Sequence, residues 1–348
     1  MGEGKEDWMA ERINRRWLLA QRPHGLVKKE DFRWVEEPVA QPGEGEVLVR
    51  NLYLSCDPTQ RGWMGGDTYM PGVRIGDVMR SRAAGKVLES RHARWHVGDL
   101  VQGLLGWQDY AVVKPEDVFL TPVPPGVSIE TALSILGMTA HTAYFGLLDV
   151  GRPQPGETVV VSGAAGATGS TVGQIAKIKG CRVVGIAGGP EKCRYLTSEL
   201  GFDAAIDYKA EDVAARLGET CPKGIDVYFD NVGGSILDAA LSRLAFKGRV
   251  VICGAISRYN DTSMAPGPSH YTNLLLRRGR MEGFLVLDYM ARIPEAVTAL
   301  GGWLREGKLK DRVDVQTGLE NAPAALVRLF KGENLGKQLV KIAEADTE

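Results

Sequence analysis

One run constrains this chain more than any other: "TVVVSGAAGATGSTVGQIAKIKG", residues 158–180, followed by "CRVVGIAG". Three consecutive valines predict a buried strand. Gly163, Gly166 and Gly169 then follow at a spacing of three. Behind them the apolar residues recur at helical spacing until Gly180 stops the helix. A second valine-rich strand comes next. Strand, glycine turn, helix and strand make a βαβ unit, which builds a parallel sheet covered by helices. Glycine in such a turn allows a sharp bend, close approach of an anion to the backbone, and tight helix–sheet packing. The helix N-terminus adds free N–H groups and a positive dipole end. A glycine triplet alone is a weak signal for phosphate. Its position between a strand and a helix in register favours the phosphate cradle.

The alternation continues. "PEKCRYLTSELG" reads as a helix opened by Pro190, "AAIDYK" as a short strand, and "GIDVYFDNVG" and "GRVVICGAI" as two more, with "GGSILDAALSRLA" between them. This predicts a doubly wound parallel sheet of the Rossmann kind. The first third differs. "EVLVRNLYLSCDP", "GKVLES", "GDLVQGLL" and "DYAVVK" are short runs separated by Gly, Pro and Asp, the pattern of a compact β-rich domain. "VPPGVSIETALSILGMTAHTAYFGLL" has helical spacing and marks the crossing between them. Near the C-terminus "RVDVQTGLENAPAALVRLFKGENLGKQLVKI" resumes strand-like runs, which predicts that the β domain is completed there. The 348 residues accommodate two domains.

The net charge of −1 gives no electrostatic case for nucleic acid or anionic lipid. No apolar run approaches the roughly 20 residues of a membrane span. The opening "MGEGKEDWMAERINRRW" has no apolar secretory core. The five cysteines are odd in number and lack a CxxC pair, which argues against a disulfide framework and for the cytoplasm.

The far end of the second strand bears on cofactor choice. A residue binding the adenosine ribose falls roughly 20 residues beyond the glycine turn, and in many such proteins it is an acid. Here that place is Gly188 or Gly189. Without a carboxylate there is no pair of hydrogen bonds to the ribose hydroxyls and no repulsion of a 2′-phosphate. Lys192 follows one helical turn later and Tyr208 ends the third strand, a cation and a phenol suited to a phosphate. The reading is NADPH rather than NADH.

"INRRWLLAQRP", "EVLVRNLYLSCDPTQRGWM", "VVSGAAGATGSTVGQIAKIKGCRVVGIAG", "YFDNVGG", "VVICGAISRYN" and "ENLGKQLVK" resemble the zinc-independent branch of the medium-chain dehydrogenase/reductase superfamily. That branch holds the leukotriene B4 dehydrogenase/prostaglandin reductases, plant alkenal double-bond reductases and bacterial curcumin reductases. The resemblance covers nearly all of the chain. It implies a GroES-like β-rich domain over residues 10–137 and 307–348, and a Rossmann NADPH-binding domain over 138–306. It also implies a homodimer formed through the nucleotide domains.

The chemistry implied is reduction of the carbon–carbon double bond of α,β-unsaturated ketones or aldehydes. Hydride goes to the β-carbon, and the enolate is protonated at the α-carbon. The resemblance puts Tyr259 near the carbonyl oxygen, with the nicotinamide ribose hydroxyl as the other candidate donor to developing charge. Family cofactor contacts carry over to Gly163, Gly166, Ala167, Thr168 and Gly169. At the adenosine end they fall on Gly188, Lys192 and Tyr208. Beyond these come Asn231, the run Cys253, Gly254, Ala255, Ile256 and Ser257, then Phe284, Leu285 and Val286, and finally Asn334. Met138 and Thr142 match positions near the nicotinamide.

Two segments depart from the family pattern. "GMTAHTAY" stands where "GMPGLTAY" is usual, so His141 neighbours a nicotinamide contact; it is either a structural helix residue or part of a proton relay. "DPTQRGWM" replaces "DPYMRGRM", so Tyr53, Gln60, Arg61 and Trp63 either border an altered substrate pocket or pack inside the β domain. Zinc is not expected. Cys56 sits roughly where a ligand falls in related alcohol dehydrogenases, but the partner Gly-His-Glu is replaced by "IGDVMRSRAAG", and the four-cysteine lobe is absent. Conjugation already makes an enone β-carbon electrophilic without a Lewis acid. Two alternatives stay open: a quinone reductase on the same fold, and a non-catalytic nucleotide-binding interaction protein.

Overall fold

The structure, a computed structural model, describes residues 12–344. Positions 10, 11 and 345–348 of the expected β domain lie outside the described residues, as does most of the N-terminal opening. In chain order the strands are β1 (Ile13–Leu19), β2 (Phe32–Pro38), β3 (Val47–Ser55), β4 (Ala83–Ser90), β5 (Leu100–Gly103), β6 (Tyr110–Val113) and β7 (Thr121–Pro122), with helices α1 (Thr59–Gly65) and α2 (Ile129–Leu133). There follow α3 (Met138–Phe145), β8 (Thr158–Ser162), α4 (Ala167–Ile178), β9 (Arg182–Ala187), α5 (Pro190–Arg194) and β10 (Ala204–Asp207). Then come α6 (Val213–Thr220), β11 (Ile225–Asp230), α7 (Gly234–Ser242), β12 (Leu244–Ile252), α8 (Asn273–Leu276), β13 (Arg280–Gly283) and α9 (Ile293–Arg305). Finally β14 (Val313–Thr317), α10 (Ala322–Lys331) and β15 (Lys337–Lys341) return.

The chain forms two compact units, residues 1–133 with 313–348, and residues 134–312. These cuts differ from the expected 137/138 and 306/307. Hydrogen bonds that sequence spacing does not reveal account for the shift. Ser134 Oγ donates to Asp311 Oδ2 at 2.6 Å, and Gln174 exchanges bonds with the Lys310 backbone at 2.7 and 3.2 Å. Residues 134–137 and 307–312 therefore belong to the second unit.

In the first unit, a seven-stranded sheet runs β14-β15-β3-β4-β5-β7, with β6 also on β3, and β1 pairs with β2 as a separate antiparallel ribbon. Its core gathers Trp17, Phe32, Trp63, Trp107 and Leu326. The C-terminal segment is not all strand: α10 buries Ala322, Ala325 and Leu326. The apolar residues of "APAALVRLFK" recur at three and four, a helical period.

The second unit is built on a six-stranded sheet, β10-β9-β8-β11-β12-β13, parallel throughout. The order reverses between β8 and β11, the place where such sheets open a crevice at the strand carboxyl ends. β8 is buried along its whole length, as strands covered on both faces are. Two helices are wider than an α-helix, over Gly146–Gly151 and Tyr195–Glu199. Among the described residues, no helix is long and apolar enough to cross a membrane.

Candidate cofactor site

The second unit's candidate residues gather at the carboxyl ends of its strands. Gly163 leaves β8 with φ +58°, a left-handed conformation glycine adopts at no steric cost. The Ala164 N–H then donates to Ile186 O of β9 at 3.0 Å, and the Gly166 N–H to Gly163 O at 3.1 Å. Gly169 must lie against this turn. A Cβ there would stand 2.3 Å from Gly163 O and 2.8 Å from Ala164 Cα. Gly166 is the N-cap of α4, no acid occupies the first turn, and the first intrahelical bond comes from Ser170 N–H. The N–H groups of Ala167, Thr168 and Gly169 thus have no acceptor within the helix. That is a fit for a pyrophosphate.

At the end of β9, two side chains lie over Gly188 and would have to shift for a Cβ there. A Cβ there would meet Tyr208 Cε1 at 2.8 Å and Lys209 Cε at 2.9 Å. Lys192 lies half-buried on α5, and Tyr208 is exposed. Of the expected Gly188, Lys192 and Tyr208, the first and last lie together, and Lys209, not among the expected residues, joins them.

Between β11 and β12 one buried carboxylate organises the backbone. Asp230 Oδ1 accepts from Ser162 Oγ at 2.8 Å, Tyr228 Oη at 2.9 Å, and the Val232 and Gly233 N–H groups at 3.0 Å. Its backbone carbonyl accepts from the Cys253 and Gly254 N–H groups at 2.9 and 3.1 Å. Asp230 was missed in the sequence; its position before Asn231 at a strand end is the only signal for it. Asn231 is held in turn, donating through Nδ2 to Ser162 O at 2.7 Å and accepting at its carbonyl from Ile256 N–H at 3.2 Å. Ser257 donates through both N–H and Oγ to Val232 O.

Tyr259 closes this loop. Its phenol oxygen accepts from the Ala255 N–H at 3.3 Å, and a Cβ on Gly254 would come within 2.9 Å of that oxygen. These two contacts hold the phenol oxygen at the Gly254–Ala255 backbone. Burial, with the Asp230 charge behind it, pushes the Cys253 thiol up to about 12, so its side chain stays a neutral thiol.

Phe284, after β13, crosses edge-to-face with Phe229 at 6.4 Å and lies over Gly146, where a Cβ would meet its Cζ at 2.3 Å. Leu285 and Val286 follow it. On α3, Thr142 Oγ1 donates to Met138 O at 2.8 Å, and His141 is buried.

The remaining candidates lie in the first unit. Asn334 is buried and donates to Gly336 O at 2.9 Å. Tyr53, Arg61 and Trp63 are buried in separate surroundings. Tyr53 packs with Leu52, Ile129 and Leu339 and donates to Glu130, whereas Trp63 packs in the larger core beneath Arg80. Arg61 donates to the carbonyls of Pro23 and Gly25 at 3.1 Å. Gln60 accepts from Asp57 N–H and donates to Arg80 O. Burial pushes the Cys56 thiol up to about 12. Among the described residues no three His, Cys, Asp or Glu side chains are grouped to hold a metal ion.

Comparison with known proteins gives two family matches, an N-terminal domain of oxidoreductase over residues 15–121 and a zinc-binding dehydrogenase over residues 167–301. The chain is 47% identical to an NADPH-dependent curcumin reductase of Escherichia coli, over 96% of this chain and 98% of that protein. It is 41% identical to a 2-alkenal reductase (NADP(+)-dependent) of Nicotiana tabacum, over 96% of this chain and 99% of that one. Among solved structures, CurA of Vibrio vulnificus in complex with NADPH superposes with a TM-score of 0.90 at 43% identity, covering 95% of this chain and 99% of that one.

Proposed function

The chain belongs to the zinc-independent branch of the medium-chain dehydrogenase/reductase family, and from that premise we propose that it reduces the carbon–carbon double bond of α,β-unsaturated ketones and aldehydes with NADPH. The observation that carries this reading is the near-complete alignment with an NADPH-dependent reductase of the same length class. The site's own chemistry supports it: a glycine turn and helix N-terminus fit for pyrophosphate, no acid at Gly188, the Tyr208 ring against that glycine, and Lys192 in the helix that follows.

Bound NADPH supplies the hydride that adds to the substrate β-carbon. The chain does the rest. Residues 166–169 receive the pyrophosphate, and Lys192 with Tyr208 receives the 2′-phosphate. Met138, Thr142, Asn231, residues 253–257, Phe284–Val286 and Asn334 are the proposed further cofactor contacts. Tyr259 donates its phenol proton as a hydrogen bond to the substrate carbonyl oxygen as negative charge develops there. Tyr53, Arg61 and Trp63 are the proposed residues of the substrate pocket. The first unit is the proposed catalytic and substrate domain, the second the NADPH domain. The protein is further proposed to be a cytoplasmic homodimer, a reading supported by its unpaired cysteines and by an exposed sheet edge.

NADPH oxidation by the purified protein, screened over enals, enones, quinones and simple ketones, tests the proposal. Saturated products from enals and enones are expected, with turnover that survives a strong chelator. Turnover confined to quinones, or activity lost to the chelator and restored by zinc, would overturn it.

A further inference from the structure

We propose that Lys209 is a second cation for the adenosine 2′-phosphate, a specificity-determining residue additional to Lys192; this rests on the NADPH reading above. Gly188 follows the end of β9 and carries no side chain. Its backbone occupies the place where other dinucleotide sites carry an acid, and Lys209 Cε lies within 2.9 Å of the point where a Cβ on Gly188 would be. The ammonium is one bond beyond Cε. A lysine stem laid across this glycine therefore delivers its charge to the adenosine ribose position, on the same side as the Tyr208 ring.

The placement is held by the backbone. Asp207 Oδ1 accepts from the Gly189 N–H at 2.8 Å and from the Lys209 N–H at 3.0 Å. One oxygen thus ties the end of β9 to the segment after β10 and fixes the span between Gly188 and Lys209. The acids nearby are engaged elsewhere. Asp207 is spent on those two N–H groups, and Glu211 accepts from Asp207 N–H at 2.7 Å and pairs with Arg216 at 2.8 Å. Lys209 makes no ion pair among the described residues, in contrast to Lys177, which pairs with Asp203 at 2.9 Å. A dianionic phosphate at this place meets a cation that holds no ion pair among the described residues, whereas the hydroxyl of NADH gives that cation little to bind.

The test is titration calorimetry with NADPH, NADH and adenosine 2′,5′-bisphosphate, on the full chain and on Lys209→Met, Lys209→Arg and Lys192→Ala. Lys209→Met keeps the stem over Gly188 and removes only the charge. It is expected to weaken NADPH and the bisphosphate about threefold to tenfold, with NADH unchanged, and Lys209→Arg is expected to retain binding. The loss should shrink at high salt, because the group is exposed. Unchanged NADPH affinity in Lys209→Met, alongside a clear loss in Lys192→Ala, would overturn the role of Lys209 and leave the NADPH reading standing. Equal losses for NADPH and NADH would also overturn it. An unaltered chain that binds NADH as tightly as NADPH and ignores the bisphosphate would overturn the NADPH reading itself.

Discussion

Tyr259 shows how one side chain is prepared for chemistry by its neighbours. Its oxygen accepts a hydrogen bond from the Ala255 N–H, which fixes the phenol against the loop after β12. Asp230 sets that loop at one remove, because its carbonyl holds the Cys253 and Gly254 N–H groups. Tyr259→Phe keeps the ring and removes the donor. Turnover of an enone should fall by up to about a hundredfold, the low end for a lost donor to developing charge, since the ribose hydroxyl remains. NADPH affinity, measured separately by fluorescence titration, should change little. Unchanged turnover with hydride transfer shown to limit the rate would remove Tyr259 from the mechanism. A loss of NADPH binding would make it a cofactor clamp instead.

At the scale of the element, the turn between β8 and α4 separates two glycines that look alike in sequence. A Cβ on Gly166 would stand 3.3 Å from Gly163 O, whereas one on Gly169 would stand 2.3 Å from it, with backbone on every near side. Gly169→Ala should therefore cost about 1–3 kcal/mol of strain and weaken NADPH clearly, while Gly166→Ala does less harm to the fold. Melting curves with and without NADPH check this: the variant at 169 should gain less from the ligand than the unaltered protein does. The opposite end of the sheet offers a contrast. Glu157 precedes β8 and takes both Arg249 and the Gln154 N–H. Burial pulls its carboxyl upward, but those bonds outweigh burial and hold it below the ordinary range. A lowered acid stabilises the fold above its unfolded value of about 4.3 and loses that contribution as pH falls through the folded value. The stability gap between the unaltered protein and Glu157→Gln should be open at pH 7 and close below about pH 4, with NADPH affinity unaffected. A gap independent of pH would show that the ion pair contributes nothing. The strands and helices around this turn were legible because buried parallel strands read as continuous valine-rich runs. The widened helices over Gly146–Gly151 and Tyr195–Glu199 were not, since one extra residue per turn leaves no mark in apolar spacing. α10 went unread for another reason: its helical period lies between two true strands, β14 and β15, and was absorbed into them.

For the molecule as a whole, the division into units was legible in texture but not in its exact limits. Bonds such as Ser134–Asp311 join residues far apart in the chain, and nothing local announces them. The second unit also ends its sheet on an open edge. Among the described residues β13 pairs only with β12, and all four of its residues are exposed. Met281 on that strand, and Tyr271, Leu275 and Leu276 just before it, are exposed apolar side chains, with Leu275 80% and Leu276 69% exposed. An uncovered strand edge beside apolar surface is a hazard for a protein that remains alone. A second copy removes the hazard most simply, because a twofold axis brings the same edge antiparallel to itself and covers both patches at once. The expected state is therefore a dimer, measured by light scattering or sedimentation at micromolar concentration. Replacing Leu275 and Leu276 together by Asp should convert it to a folded monomer that still binds NADPH, because neither leucine is among the proposed cofactor contacts. An unaltered protein that sediments as a monomer would reject the dimer. A dimer that survives the double substitution would place its interface elsewhere on the surface.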